Sequence, residues 1–156
     1  MMILISILAF IIGLIIAIML VWSFMEKVVF SVEKTSEKHA ALFRLMNNWV
    51  YLYQNKKSIS NYLIENDVHT VAIYGLSNVG ETLYNELIDS DVKVIYGIDQ
   101  SIEFFGNIPV YKNSDMLPKV DMIIVTAITS YKDIERELKN RVDFEIASLE
   151  EIILSI

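Results

Sequence analysis

The residues best suited to chemistry in this chain are Gly75-Leu76-Ser77-Asn78-Val79-Gly80, with Asp99 about 20 residues further on and Thr126 in a later loop. A glycine such as Gly75 lets a chain turn sharply off a strand, and one such as Gly80 lets a helix pack closely on a sheet. A helix beginning there presents unpaired N–H groups and a partial positive charge, a setting that suits a phosphate. A carboxylate at the position of Asp99 suits the hydroxyls of a ribose. Ser77 stands where a middle glycine would let a pyrophosphate reach the backbone, so its side chain narrows that approach while its hydroxyl offers a phosphate contact or a helix cap. Glu81 puts a negative charge in the first turn. A second reading fits the same residues: the glycines shape a tight turn, Ser77 and Asn78 cap, and Asp99 orders the next loop.

These residues need elements to hold them, and the sequence supplies a consistent set. His69 to Tyr74 is a buried-strand pattern, and Leu83, Tyr84, Leu87 and Ile88 recur at helical spacing after the loop. Val92 to Ile98 is a second strand ending at Asp99. Strand, glycine loop, helix, strand and terminal acid make a Rossmann-type βαβ unit. Ile108 to Tyr111 is a short extended segment, with Pro109 favouring an edge. Asp121 to Ala127 is the continuous apolar run of a strand covered on both faces. Ser130 with Asp133, and Ser148 with Glu151, are spaced as capping boxes for two further helices, with the strand Phe144 to Ala147 between them. The prediction is an α/β fold: a small parallel sheet of about five strands with flanking helices. Its carboxyl ends gather Gly75 to Gly80, Asp99 and the loop Thr126 to Thr129 around one crevice.

The first 25 residues carry no charged side chain and are long enough for a transmembrane helix. A signal peptide would show a basic start, a shorter apolar core and small residues before a cleavage site. Lys27, Lys34, Lys38 and Arg44 follow the span, so the positive-inside rule predicts a single-pass anchor with the remainder cytoplasmic. The division expected is an anchor over 1–25, a juxtamembrane helical segment over 26–66 and an α/β domain over 67–156. Within the middle segment two apolar stripes run side by side, Leu42-Leu45-Trp49-Leu52 and Phe43-Met46-Val50-Tyr53. Such a face packs against the following domain, against a second copy, or against another protein. Ser58 or Ser60 offers an N-cap for a short helix beyond it.

Composition narrows the function. The net charge of −7 argues against nucleic acid, which needs a basic face. There is no cysteine, and His39 and His69 are the two histidines. No nucleophile–base arrangement or metal-ligand cluster is visible, so catalysis is not expected.

The run Val71 to Gln100, followed by Ile108-Pro109-Val110 and Val120 to Thr126, resembles a Rossmann-like domain common in bacterial surface-polysaccharide proteins. It is similar to the nucleotide-sugar-binding domain of sialic-acid-type sugar acetyltransferases, and to NAD- or CoA-binding modules attached to glycosyltransferases and membrane-bound nucleotide-sugar dehydratases. The likeness covers residues 67 to 156 and implies that Gly75, Ser77, Gly80 and Asp99 match the phosphate and ribose positions of a site for NAD or a nucleotide-sugar at the bacterial cell membrane; Leu76, Asn78 and Thr126, from the same loop and crevice, are expected to line it with them. The sequence contains neither the hexapeptide repeats of the acetyltransferases nor a substrate domain with a catalytic Tyr and Lys. The expectation is therefore an accessory binding module, or else a ligand-free scaffold for a membrane-bound partner such as a glycosyltransferase.

Overall fold

The computed structural model describes residues 2–156, and among side chains those of residue 7 and of residues 10–156. The chain divides into two compact units, Met1–Ala40 and Ala41–Ile156. The first consists of α1 (Met2–Gln54), whose last turns belong to the second. One helix therefore covers both the stretch expected as an anchor and most of the segment expected as juxtamembrane. No proline and no glycine other than Gly13 lies in that stretch. Its small polar residues turn their hydroxyls back onto the helix: Ser31 Oγ donates to Val28 O at 2.8 Å and Thr35 Oγ1 to Ser31 O at 2.9 Å. Phe10 to Gln54 is long and apolar enough to include a membrane span, and its most apolar window is wholly exposed.

In the second unit the order is α2 (Ile59–Glu65), β1 (Thr70–Tyr74), α3 (Asn78–Leu87), β2 (Lys93–Ile98), β3 (Val110–Tyr111), β4 (Met122–Val125), α4 (Tyr131–Lys139), β5 (Glu145–Ser148) and α5 (Leu149–Ser155). Helices α1 and α2 both close with Schellman turns. Lys56 N donates to Tyr53 O and Lys57 N to Leu52 O, and Asp67 N to Ile64 O and Val68 N to Leu63 O. Lys56 and Asp67 take the left-handed conformation at these ends, with φ of 57° and 58°. Ser58 caps α2 as its spacing suggested, its Oγ accepting from Asn61 N at 3.2 Å.

The five strands form one sheet in the order β3-β2-β1-β4-β5, parallel throughout. Sequence direction reverses at β1, which pairs with both β2 and β4. Alternation along the strands divides the core. Val71 and Ile73 of β1 and Met122 and Ile124 of β4 join one cluster with residues of α1, α2, α3 and α5. Ala72, Ile123 and Val125 join the other, with Leu138 of α4. Of the two stripes on α1, the first is absorbed from its second residue on: Leu45, Trp49 and Leu52 are buried, while Leu42 stays exposed. The second is left outside, with Phe43, Val50 and Tyr53 exposed and Met46 half-buried.

Two capping boxes suggested by the sequence do not form. Ser130 makes no side-chain cap bond because a 3-10 turn, Ile128–Ser130, runs straight into α4 and leaves it at φ −116°, ψ 8°. Ser148 ends β5 with its side chain buried, and it too makes no cap bond.

Candidate functional site

The glycine loop sits at the carboxyl end of β1, beside the reversal in strand order. Its backbone is fixed at both ends. Gly75 has φ +90°, and a Cβ there would lie 2.8 Å from Thr126 Oγ1, so a side chain would meet both backbone strain and a clash. Gly75 N donates to Ile98 O at 2.9 Å. Gly80 lies one helical turn on, so close to the loop that a Cβ would stand 3.0 Å from the Gly75 carbonyl carbon and nearer still to its oxygen. Thr126 is buried. Its hydroxyl lies 3.0 Å from Tyr74 O and 2.7 Å from Gly75 O, able to donate to either. It braces the loop from β4 and has no proton to spare for a ligand.

Leu76 turns inward and is buried. It rests over Gly97 of β2, where a Cβ would come within 2.7 Å of Leu76 Cδ1. Gly97 had no part in the motif as read from sequence; its smallness is what seats the loop.

Asp99 binds the protein itself. Oδ2 accepts from Leu76 N at 2.9 Å, while Oδ1 accepts from Ser101 N at 2.8 Å and Ile102 N at 3.1 Å. Burial pushes its carboxyl pKa up, but these three amides and the charge of Lys112 outweigh burial and hold it below the ordinary carboxylate value. An ionised carboxylate offers about four acceptor positions, and three are taken. Lys112, whose ammonium donates to Gln100 O and Ile102 O at 3.1 Å each, clamps the same turn from β3's end. On the other side of the sheet end, Asn113 Nδ2 donates to Tyr74 Oη at 2.8 Å and to Glu137 Oε1 at 3.2 Å. Neither Lys112 nor Asn113 carried a sequence signal, because both depend on where β3 enters the sheet.

Ser77 and Asn78 are exposed. Helix α3 starts at Asn78, ahead of Leu83, the first of the residues that recur at helical spacing in the sequence, and Ser77 occupies its N-cap position with φ −70°, ψ −171°. Its hydroxyl makes no cap bond, contrary to the capping role that was one of the two readings. Ser77 O accepts from Glu81 N at 2.9 Å, which leaves the amides of Asn78, Val79 and Gly80 ahead of the helix's own ladder. The site thus gathers Gly75, Leu76, Ser77, Asn78, Gly80, Asp99 and Thr126 around one loop. Ser77 and Asn78 are on the exposed side of it, while Leu76, Asp99 and Thr126 are engaged in holding the loop.

The arrangement is equipped to hold an anion by hydrogen bonds. Among the described residues no three His, Cys, Asp or Glu side chains are grouped as metal ligands. His69 is exposed at the opposite end of β1, beside Asp121, which accepts from His69 N and Thr70 N. Comparison with family models, with curated proteins and with solved structures returned no match.

Proposed function

We propose that this chain is a membrane-anchored, non-catalytic module of Rossmann-like fold that binds a phosphate-bearing ligand of the nucleotide, nucleotide-sugar or NAD class, as an accessory to bacterial surface-polysaccharide assembly. The strand order 3-2-1-4-5 supports the Rossmann-like part of this reading, since it is the order of that fold's nucleotide-binding sheet. An apolar, exposed span near the amino terminus followed by Lys27, Lys34, Lys38 and Arg44 supports a single-pass anchor with the α/β unit in the cytoplasm.

The observation that carries the ligand is Ser77. It is exposed at an N-cap with extended backbone, its hydroxyl makes no cap bond, and the amides of Asn78, Val79 and Gly80 beside it precede the hydrogen-bond ladder of a ten-residue helix. A phosphate oxygen would satisfy both. Asp99 serves this site from behind, fixing Leu76 N and the loop's curvature, with about one acceptor position left for a sugar hydroxyl.

The test is calorimetric titration of a fragment covering residues 41–156 against NAD, NADH, UDP-sugars, CoA and ATP. The fragment begins at 41 because Leu45, Trp49 and Leu52 belong to its core. Saturable binding of one ligand is expected, abolished by Ser77→Asp and weakened by Ser77→Ala, which removes the hydroxyl contact and leaves the helix amides in place. Silence across the panel from a folded fragment would sink the binding module. It would favour the second reading, a ligand-free scaffold, for which the engagement of Asp99 by three backbone amides is the specific support.

A further inference from the structure

The α1 stripe that the domain leaves uncovered has a heptad register, and we propose that it is the seam of a parallel, in-register homodimer. This rests on the membrane-anchor reading. With Val29 at position a and Val32 at d, Phe43 and Val50 fall at a, and Met46 and Tyr53 at d. Val29 and Val32 are 58% and 62% exposed, Phe43 73%, Val50 51% and Tyr53 83%. Large apolar side chains at that exposure, recurring on one line of a helix, lack the cover they need.

Charge placement points to a helix as the cover. Between residues 26 and 54, Glu26 and Glu33 fall at e, Lys27 and Lys34 at f, Glu37 and Arg44 at b, and Lys38 at c. None falls at a, d or g. The facing g and e' positions of two parallel copies would pair Val28 with Glu33, Thr35 with Ala40 and Leu42 with Asn47, while Trp49, the last g residue, stays in its own domain's core. No like charges meet across that seam.

The anchor selects a second copy. Two copies inserted the same way are parallel, and inserted to the same depth they are in register, so each a and d residue meets itself. Ser36 and His39, the polar members of the seam, then face their own counterparts in one polar layer, the device by which coiled coils fix register. Five exposed apolar seam residues per copy (Val29, Val32, Phe43, Val50 and Tyr53), each burying roughly 60–120 Å², give about 600–1,200 Å² in all, at or below the lower bound for a lasting interface. Confinement to one bilayer raises the effective concentration and makes up the difference.

The absence of cysteine gives a clean test in the full chain in native membranes. Single cysteines are placed at seam positions (Val29→Cys, Val50→Cys) and at outward positions (Lys34→Cys, Arg44→Cys), and disulfide-linked dimer is measured after mild oxidation. At least tenfold more dimer from the seam positions is expected. Ser36→Leu with His39→Leu should increase the dimer fraction several-fold, and Phe43→Glu with Val50→Glu should abolish it. Equal yields at all four positions, or linkage to a protein of another mass, would overturn the homodimer while leaving the anchor intact. Release of the chain by alkaline carbonate would overturn the anchor and the seam together.

Discussion

Replacing Gly80 by alanine tests the most demanding contact in the structure. A methyl group there would press into the Gly75 carbonyl, whose carbon would be 3.0 Å away and whose oxygen nearer. Both belong to backbone held by Gly75 N to Ile98 O at 2.9 Å and by the Thr126 hydroxyl, so neither can rotate aside. Restoring an ordinary carbon contact of about 3.5 Å requires α3 to lift by about an ångström. Leu83 and Leu87, wholly buried on that helix, would lift with it. Overpacking of this kind costs about 1–3 kcal/mol, and a backbone partner puts it at the upper end. Alanine's better helix propensity returns about 1 kcal/mol. The expected net loss is about 2 kcal/mol, or about 6–12 °C in Tm for a unit of this size. Gly13→Ala is the control, since nothing lies within 4 Å of a Cβ there. Thermal unfolding of the full chain in detergent, followed by circular dichroism, measures both. A Gly80→Ala Tm within 2 °C of the parent would show that α3 is not seated on Gly75, and the account of the loop would fail with it.

Asp99 gives a pH prediction. Its carboxyl sits below the ordinary value in the fold, so its contribution is fully present above the unfolded value of about 3.9 and is lost as pH falls through the lower folded value. The acid limb of a stability-against-pH curve should therefore flatten in Asp99→Asn; an unchanged limb would contradict the lowered pKa. Glu86 joins three helices, accepting from Trp49 Nε1 at 2.6 Å and from Ile59 N at 2.7 Å. Glu86→Ala leaves both donors unpaired and should cost about 2 kcal/mol or more in urea unfolding, while Glu86→Gln, which keeps one acceptor, should cost less. Equal losses would show that packing, and not the paired carboxylate, matters there.

The α/β unit was legible because its strongest signals are local. The apolar run at Met122 to Val125 and the glycine loop need no knowledge of distant residues. What could not be read depended on tertiary placement. Nothing in the spacing of Leu45, Trp49 and Leu52 says that they enter this domain's core while Phe43 and Tyr53, on the same helix, stay outside. The start of α3 at Asn78 came earlier than its periodicity because the residues its first turn buries, Val79 and Gly80, read in the sequence as part of the glycine loop. Ser130 met every compositional rule for a cap and failed because the preceding 3-10 turn had already set its backbone.

The three amides gathered by Asp99 bear on how such domains drift over evolutionary time. An acid at this position earns its retention from the loop's own backbone, so selection would keep it in a lineage that had lost every ligand. Ser77, which holds nothing in place, is free to change. A descendant with the acid and a bulky residue at 77 would still display the signature of a nucleotide site while being unable to admit one.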